Sequence, residues 1–314
     1  MILPERVKPK ATMFTPVLVL VVFLAILAAR FLSPETLGLN ENPYLAVVVI
    51  QLVTYAVPAV FYYKIRGREF APKVRLRMFR SSHFLYLFHT SVFLISGVML
   101  LSILMYTLIP GAFAASASAD YASFAMNQRF FDGVYLVLAF ALLPAATEEF
   151  LFRGIVIGEY ERYGAAIAVT ASALMFAMSH FSLARFPVYL FSGIVLALTV
   201  YTTRSVAASA LIHALNNTAV LLLEKYVLSI VDKQNVSMTL LMILFAAAAI
   251  LSAMLMCFEA SGIYRDMAQA NVPSEYVSHP DRKRSIFVRI ADAFLTPTFL
   301  LLVILFVVVT LKDL

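Results

Sequence analysis

Charge is what this sequence has least of. Only 13% of its 314 residues are Asp, Glu, Lys or Arg, while 62% are hydrophobic and the mean hydropathy is positive. That balance excludes a soluble domain of this length and reads as a polytopic membrane protein. Cysteine is nearly absent: Cys257 alone allows no intrachain disulfide, and its place in an apolar run says nothing about redox compartment. Glycine is scarce at 10 residues. No glycine loop that could cradle a phosphate, no CxxC, no HExxH and no internal repeat is present.

What the chain does have is long stretches free of charge. They cover Ala11–Ala29, Asn42–Tyr63, Ser81–Ala119, Gly133–Thr147, Tyr163–Ala184, Phe186–Thr203, Ser205–Leu223, Gln234–Phe258 and Ala293–Leu311. About 20 helical residues cross a bilayer, so the runs predict an all-α polytopic transmembrane bundle of roughly nine spans. The runs are continuous rather than alternating, which excludes barrel strands. The first run is too long for a signal h-region and lacks a cleavage site, so a retained span is expected.

Basic residues set the expected orientation. With nine alternating spans and the N-terminus inside, 18 of the 24 Lys and Arg residues fall on inner segments, leaving Arg30, Arg129, Arg185, Lys225, Lys233 and Lys312 outside. This predicts a cytoplasmic N-terminus, in the cell membrane of a bacterium or archaeon or the endoplasmic reticulum membrane of a eukaryote. The net charge of +6 follows from that bias and from anionic lipid, and gives no support to nucleic acid as a partner. By content the chain divides into residues 1–132, with three spans, a basic loop and the small-residue stretch GAFAASASAD read as an outer loop; 133–224, with most of the polar oddities; and 225–314, with two spans around a basic loop broken by Pro273 and Pro280.

The middle part raises the chemical question. LLPAATEEFLFRG, Leu142 to Gly154, places Glu148, Glu149 and Arg153 in apolar surroundings. A charged side chain at the centre of a span costs about 2.5–3.5 kcal/mol on insertion scales, so the three must find partners. Glu149 and Arg153 stand four apart with the acid first, the favourable order for a helical ion pair. Glu148 is rotated by about 100° and must look elsewhere, toward a cavity. Pro144 should kink the helix before the pair. Two later apolar runs carry FAMSH and HALNN, in which Phe176 and His180, then His213 and Asn217, share helix faces. Glu148, His180, His213 and Asn217 are therefore expected to converge inside the bundle.

EEFLFR (148–153), FAMSH (176–180) and HALNN (213–217), in that order and at spacings near 32 residues, resemble the CPBP family, the CaaX proteases and bacteriocin-processing (Abi) enzymes. The best-known members are intramembrane glutamate proteases that remove the last three residues of prenylated proteins. The resemblance implies that Glu148 is the general base, that His180 helps to hold and activate the water, and that His213 and Asn217 donate to the oxyanion. It implies a supporting role for Glu149 and Arg153, with Phe176 packing around the site. It also implies a protein or peptide substrate, lipidated or not, in a lipid environment, and no metal or other cofactor. The chemistry is coherent: water is a weak nucleophile that needs a base, and donors fixed at a developing oxyanion act strongly in a dry site.

Each residue also has a plainer reading. Glu149 and Arg153 can be a packing ion pair only, and His180 and His213 satisfied core histidines. Two other functions compete. A zinc protease would use His180, His213 and Glu148 as ligands, although no carboxylate in the His180 or His213 spans is placed to orient the rings, leaving a backbone carbonyl to do so. A non-catalytic scaffold or regulator would keep the fold without the reaction. Oligomeric state and cleavage preference are not encoded in any motif.

Overall fold

The computed structural model describes residues 11–32, 36, 43–109, 130–224, 227, 237–270 and 284–312. The small-residue stretch after Pro110, the loop with Pro273 and Pro280, and the basic residues Arg6, Lys8, Lys10, Arg129, Lys225, Lys233, Arg282 and Lys283 lie outside them. Every described element is helical: α1 (Ala11–Ala29), α2 (Tyr44–Arg66), α3 (Ser81–Leu108), α4 (Gly133–Tyr163), α5 (Ala165–Ser179), α6 (Phe186–Thr203), α7 (Val206–Glu224), α8 (Met238–Gln269), α9 (Ile286–Phe294) and α10 (Pro297–Lys312). The protein is an all-α polytopic helical bundle.

The described residues do not confirm nine spans. Among the described residues six helices, α2, α3, α4, α6, α7 and α8, are long and apolar enough to cross a membrane, or seven if α9 and α10, bent by 59°, form one span. A charge-free run reports apolarity and not length. The run from Tyr163 yields only the 15 residues of α5, about 22 Å of helix, against a hydrocarbon core of about 30 Å.

Prolines shape the spans without breaking them. Pro144 lacks the N–H for an i→i−4 bond, and the chain answers with a π-helical turn at Leu138–Leu142; α4 then continues to Tyr163. A second π turn, Phe150–Val156, directly follows the two glutamates, and Pro58 in α2 is preceded by a third at Leu52–Ala56. Gly164, at φ +112°, makes the tight turn from α4 into α5, a conformation open to glycine and strained for other residues.

Packing divides the bundle into two cores. One joins α1, α2, α4, α5 and α10 around Phe23, Phe152, Ile155, Tyr160 and Met175; the other joins α3, α6 and α7 around Leu94, Val98, Leu196 and Ile212. α8 lies along α3 and buries only Ala249 and Ser252, leaving its apolar surface to lipid. The basic segment after α2 is partly internal. Arg66 Nη2 donates to Glu159 at 3.1 Å, and buried Arg75 pairs with Glu161, pinning this segment to the end of α4.

Helices in lipid associate through close packing rather than water exclusion, so small residues at crossings matter. α5 and α6 cross at Ala173 and Gly193, where an added Cβ would stand 2.9 Å from the Ala173 Cα and 3.2 Å from its carbonyl oxygen. Both atoms are backbone and cannot rotate away. Gly193→Ala is expected to cost about 1–3 kcal/mol, read as a lower thermal unfolding midpoint in detergent. An unchanged midpoint would show that this crossing is loose.

Candidate active site

α4 places two adjacent carboxylates in different surroundings. Glu149 is fully buried and saturated with donors: Arg153 Nη1 at 2.7 Å, His213 Nδ1 at 2.9 Å and the Ser209 hydroxyl. Arg153, also fully buried, donates through Nη2 to the Gly193 carbonyl at 3.1 Å. Its guanidinium lies over the Phe176 ring, 4.4 Å from the centroid, an attraction strengthened where water is absent. The close α5–α6 crossing thus also positions the carbonyl that helps to hold the arginine.

Glu148 points elsewhere. It is 6% exposed, and its hydrogen bond within the protein comes from Gln51 Nε2 at 3.3 Å. It lines a cavity of about 260 Å³ together with His180, His213 and Asn217, so the four side chains expected to converge do share one space. Val98, Phe140, Val188, Val220 and Leu221 give that space an apolar side.

His180 sits one residue beyond α5, at its C-terminal cap, rather than within an apolar span as its sequence context implied. Its Nδ1 is 2.9 Å from the Phe176 carbonyl, which can only accept, so Nδ1 carries the proton and Nε2 of the neutral ring is an acceptor. The ring stacks on Tyr189 at 3.8 Å and meets the edge of Phe176 at 4.8 Å. Phe176 also makes an edge contact with His213 at 5.6 Å, so this single ring touches the Arg153 guanidinium and both imidazoles. Asn217 is half-buried, one helical turn beyond His213, and also faces the cavity.

The carboxylate that orients His213 comes from α4, not from the histidine's own span. Sequence reasoning paired Glu149 with Arg153 and missed this second bond. Ser209 was also missed, although it lies four residues before His213 on the same face of α7. Gln51 had a visible signal, a lone amide in the second apolar run. Arg185 and Glu224 appeared only as charges ending runs, yet they pair at 3.2 Å and line the same cavity. Asn216 had no signal; it is buried, lines the cavity, and its Oδ1 has no partner among the described residues.

Comparison with known proteins adds one finding. Residues 130–219, which hold all three motifs and most of the cavity, match the family model for type II CAAX prenyl endopeptidase Rce1-like proteins. No curated protein and no solved structure matches the chain. With the helices built for a membrane and the motif residues around one internal cavity, this match over residues 130–219 supports a CPBP/CAAX protease assignment, and with it a peptide hydrolase embedded in a membrane.

Proposed function

We propose that the cavity hydrolyses a peptide bond near the end of a membrane-associated protein or peptide, with Glu148 as the general base. The carrying observation is the divergence of the two glutamates: Glu149 is saturated by three donors, while Glu148 faces the cavity with one long contact. Glu149 is fully buried behind those donors, whereas Glu148 has acceptor sites open to a water molecule in the cavity. The Nε2 of His180, unprotonated in the neutral ring, would accept a hydrogen bond from that water and turn it toward the scissile carbonyl. His213 and the Asn217 amide would meet the oxyanion. Because Nδ1 of His213 already donates to Glu149, donation from Nε2 requires the imidazolium form, whose charge Glu149 is placed to balance. Glu149 and Arg153 then act by fixing His213 and the helix crossing, not by touching substrate, while Phe176 packs against both imidazoles at the cavity wall. The apolar side of the cavity suits an apolar chain or lipid-modified tail. On this reading residues 133–224 are the catalytic core, 1–132 and 225–314 are flanking membrane regions, and the basic inner segments place the N-terminal end in the cytoplasm.

The zinc reading needs His180, His213 and Glu148 to close on one point. Among the described residues no three His, Cys, Asp or Glu side chains are grouped to hold a metal ion. The Nδ1 contacts of the two rings, to a carbonyl and to Glu149, would orient them in either mechanism, and protein dipoles can supply the polarisation without a metal. Hydrolysis of a tail peptide by the purified protein is therefore expected to persist after exhaustive treatment with phenanthroline. Activity lost on chelation and restored by zinc, with about one zinc bound per chain, would replace this mechanism with the zinc one.

A further inference from the structure

A second cavity, of about 120 Å³, lies apart from the motif residues and is lined by Arg77, Met78, Arg80, His83, Thr203, Arg204 and Met267. Three arginines and a histidine line it, and no acidic side chain is among the described residues that do so. The cavity occupies the point where α3 begins and α6 and α8 end, the level at which spans leave the hydrocarbon. We propose that it binds a phosphate oxyanion, that of an anionic phospholipid headgroup.

The site is built rather than a chance meeting of surface arginines. Arg77 Nε donates to the Arg204 carbonyl at 2.7 Å, the Ser205 hydroxyl donates to the Arg77 carbonyl, and Val206 N donates to the Arg75 carbonyl at 3.2 Å. These bonds tie the segment before α3 to the turn between α6 and α7. Arg204, in the left-handed region at φ 56°, caps α6 there. His83 supplies the independent sign of a ligand: it is 5% exposed, lines the cavity, and its buried Nδ1 has no hydrogen-bond partner among the described residues. A buried polar atom without a partner costs free energy that an incoming oxyanion would recover when the ring offers it a proton. Guanidinium forks match phosphate oxygens in pairs, and Met78 and Met267 give the glycerol and first acyl carbons an apolar wall.

The test is native mass spectrometry of the full chain in detergent, with phosphatidylglycerol, phosphatidylcholine or inorganic phosphate added. One phosphatidylglycerol per chain is expected to survive activation that strips phosphatidylcholine, and its retention should weaken as ionic strength rises. Arg80→Gln, at the exposed rim, should lower that retention about fivefold, the effect of one basic residue at a membrane surface. His83→Leu should lower it with the thermal unfolding midpoint unchanged or higher, because it removes an unpartnered buried polar atom. Displacement of the lipid by inorganic phosphate, lost in the same variants, would keep the oxyanion site and assign it to a free ion as well. Equal retention of both lipids, or retention untouched in both variants, would overturn the proposal.

Discussion

Glu148→Gln is expected to lower turnover by about 10²–10⁴, the range supplied by a positioned general base, while the protein folds and unfolds as wild type does. The substitution keeps the shape of the side chain and removes its ability to take a proton. Its effect on folding should be small because the carboxylate has one long contact, from Gln51, and otherwise faces the cavity. Peptide turnover and the thermal unfolding midpoint, measured on the same preparation, separate the two effects. Near-wild-type turnover in Glu148→Gln, with turnover lost and folding intact in Glu149→Gln, would mean that the roles of the adjacent acids are reversed.

The largest loss of stability is expected one residue on. Glu149→Gln leaves Arg153 fully buried without its counter-ion and takes an acceptor from Ser209 and His213. Breaking a buried pair from one side costs about 3–5 kcal/mol, enough to lower yield and the unfolding midpoint together. Arg153→Met should be milder at equal burial. It leaves Glu149 its hydrogen bonds with Ser209 and His213, and the new thioether can pack on Phe176. Activity should fall in both variants because the His213 ring and the α5–α6 crossing lose their anchors. A midpoint unchanged in Glu149→Gln would contradict the assignment of this carboxylate to the scaffold.

The residues most legible from sequence were those whose cost in lipid is highest. Glu148, Glu149 and Arg153 stand out because ionised groups in apolar runs demand an explanation, and helical spacing alone separates the two acids by direction. His180, His213 and Asn217 followed from the same logic, and they do line one cavity with Glu148. What could not be read was contact between helices. The Glu149–His213 bond joins residues 64 apart in sequence, and nothing in EEFLFR or HALNN names the partner. Gln51 reaches Glu148 from a helix nearly 100 residues earlier. Nine spans are not confirmed for a related reason: a charge-free run fixes what a segment can touch, whereas Gly164 and the turn at His180 fix how long its helix is. Pro144 was read correctly as a disturbance, but a π turn rather than a sharp kink absorbs it.

The account stands most directly on whether this protein hydrolyses a peptide bond using Glu148 and water. Purified wild type and Glu148→Ala, reconstituted in the same vesicles in ¹⁸O-labelled water, can be given prenylated and unprenylated tail peptides and read by mass spectrometry. The expected result is a product from wild type whose new carboxylate carries heavy oxygen from the solvent, and no product from Glu148→Ala. Product formed at a comparable rate by Glu148→Ala would contradict the account.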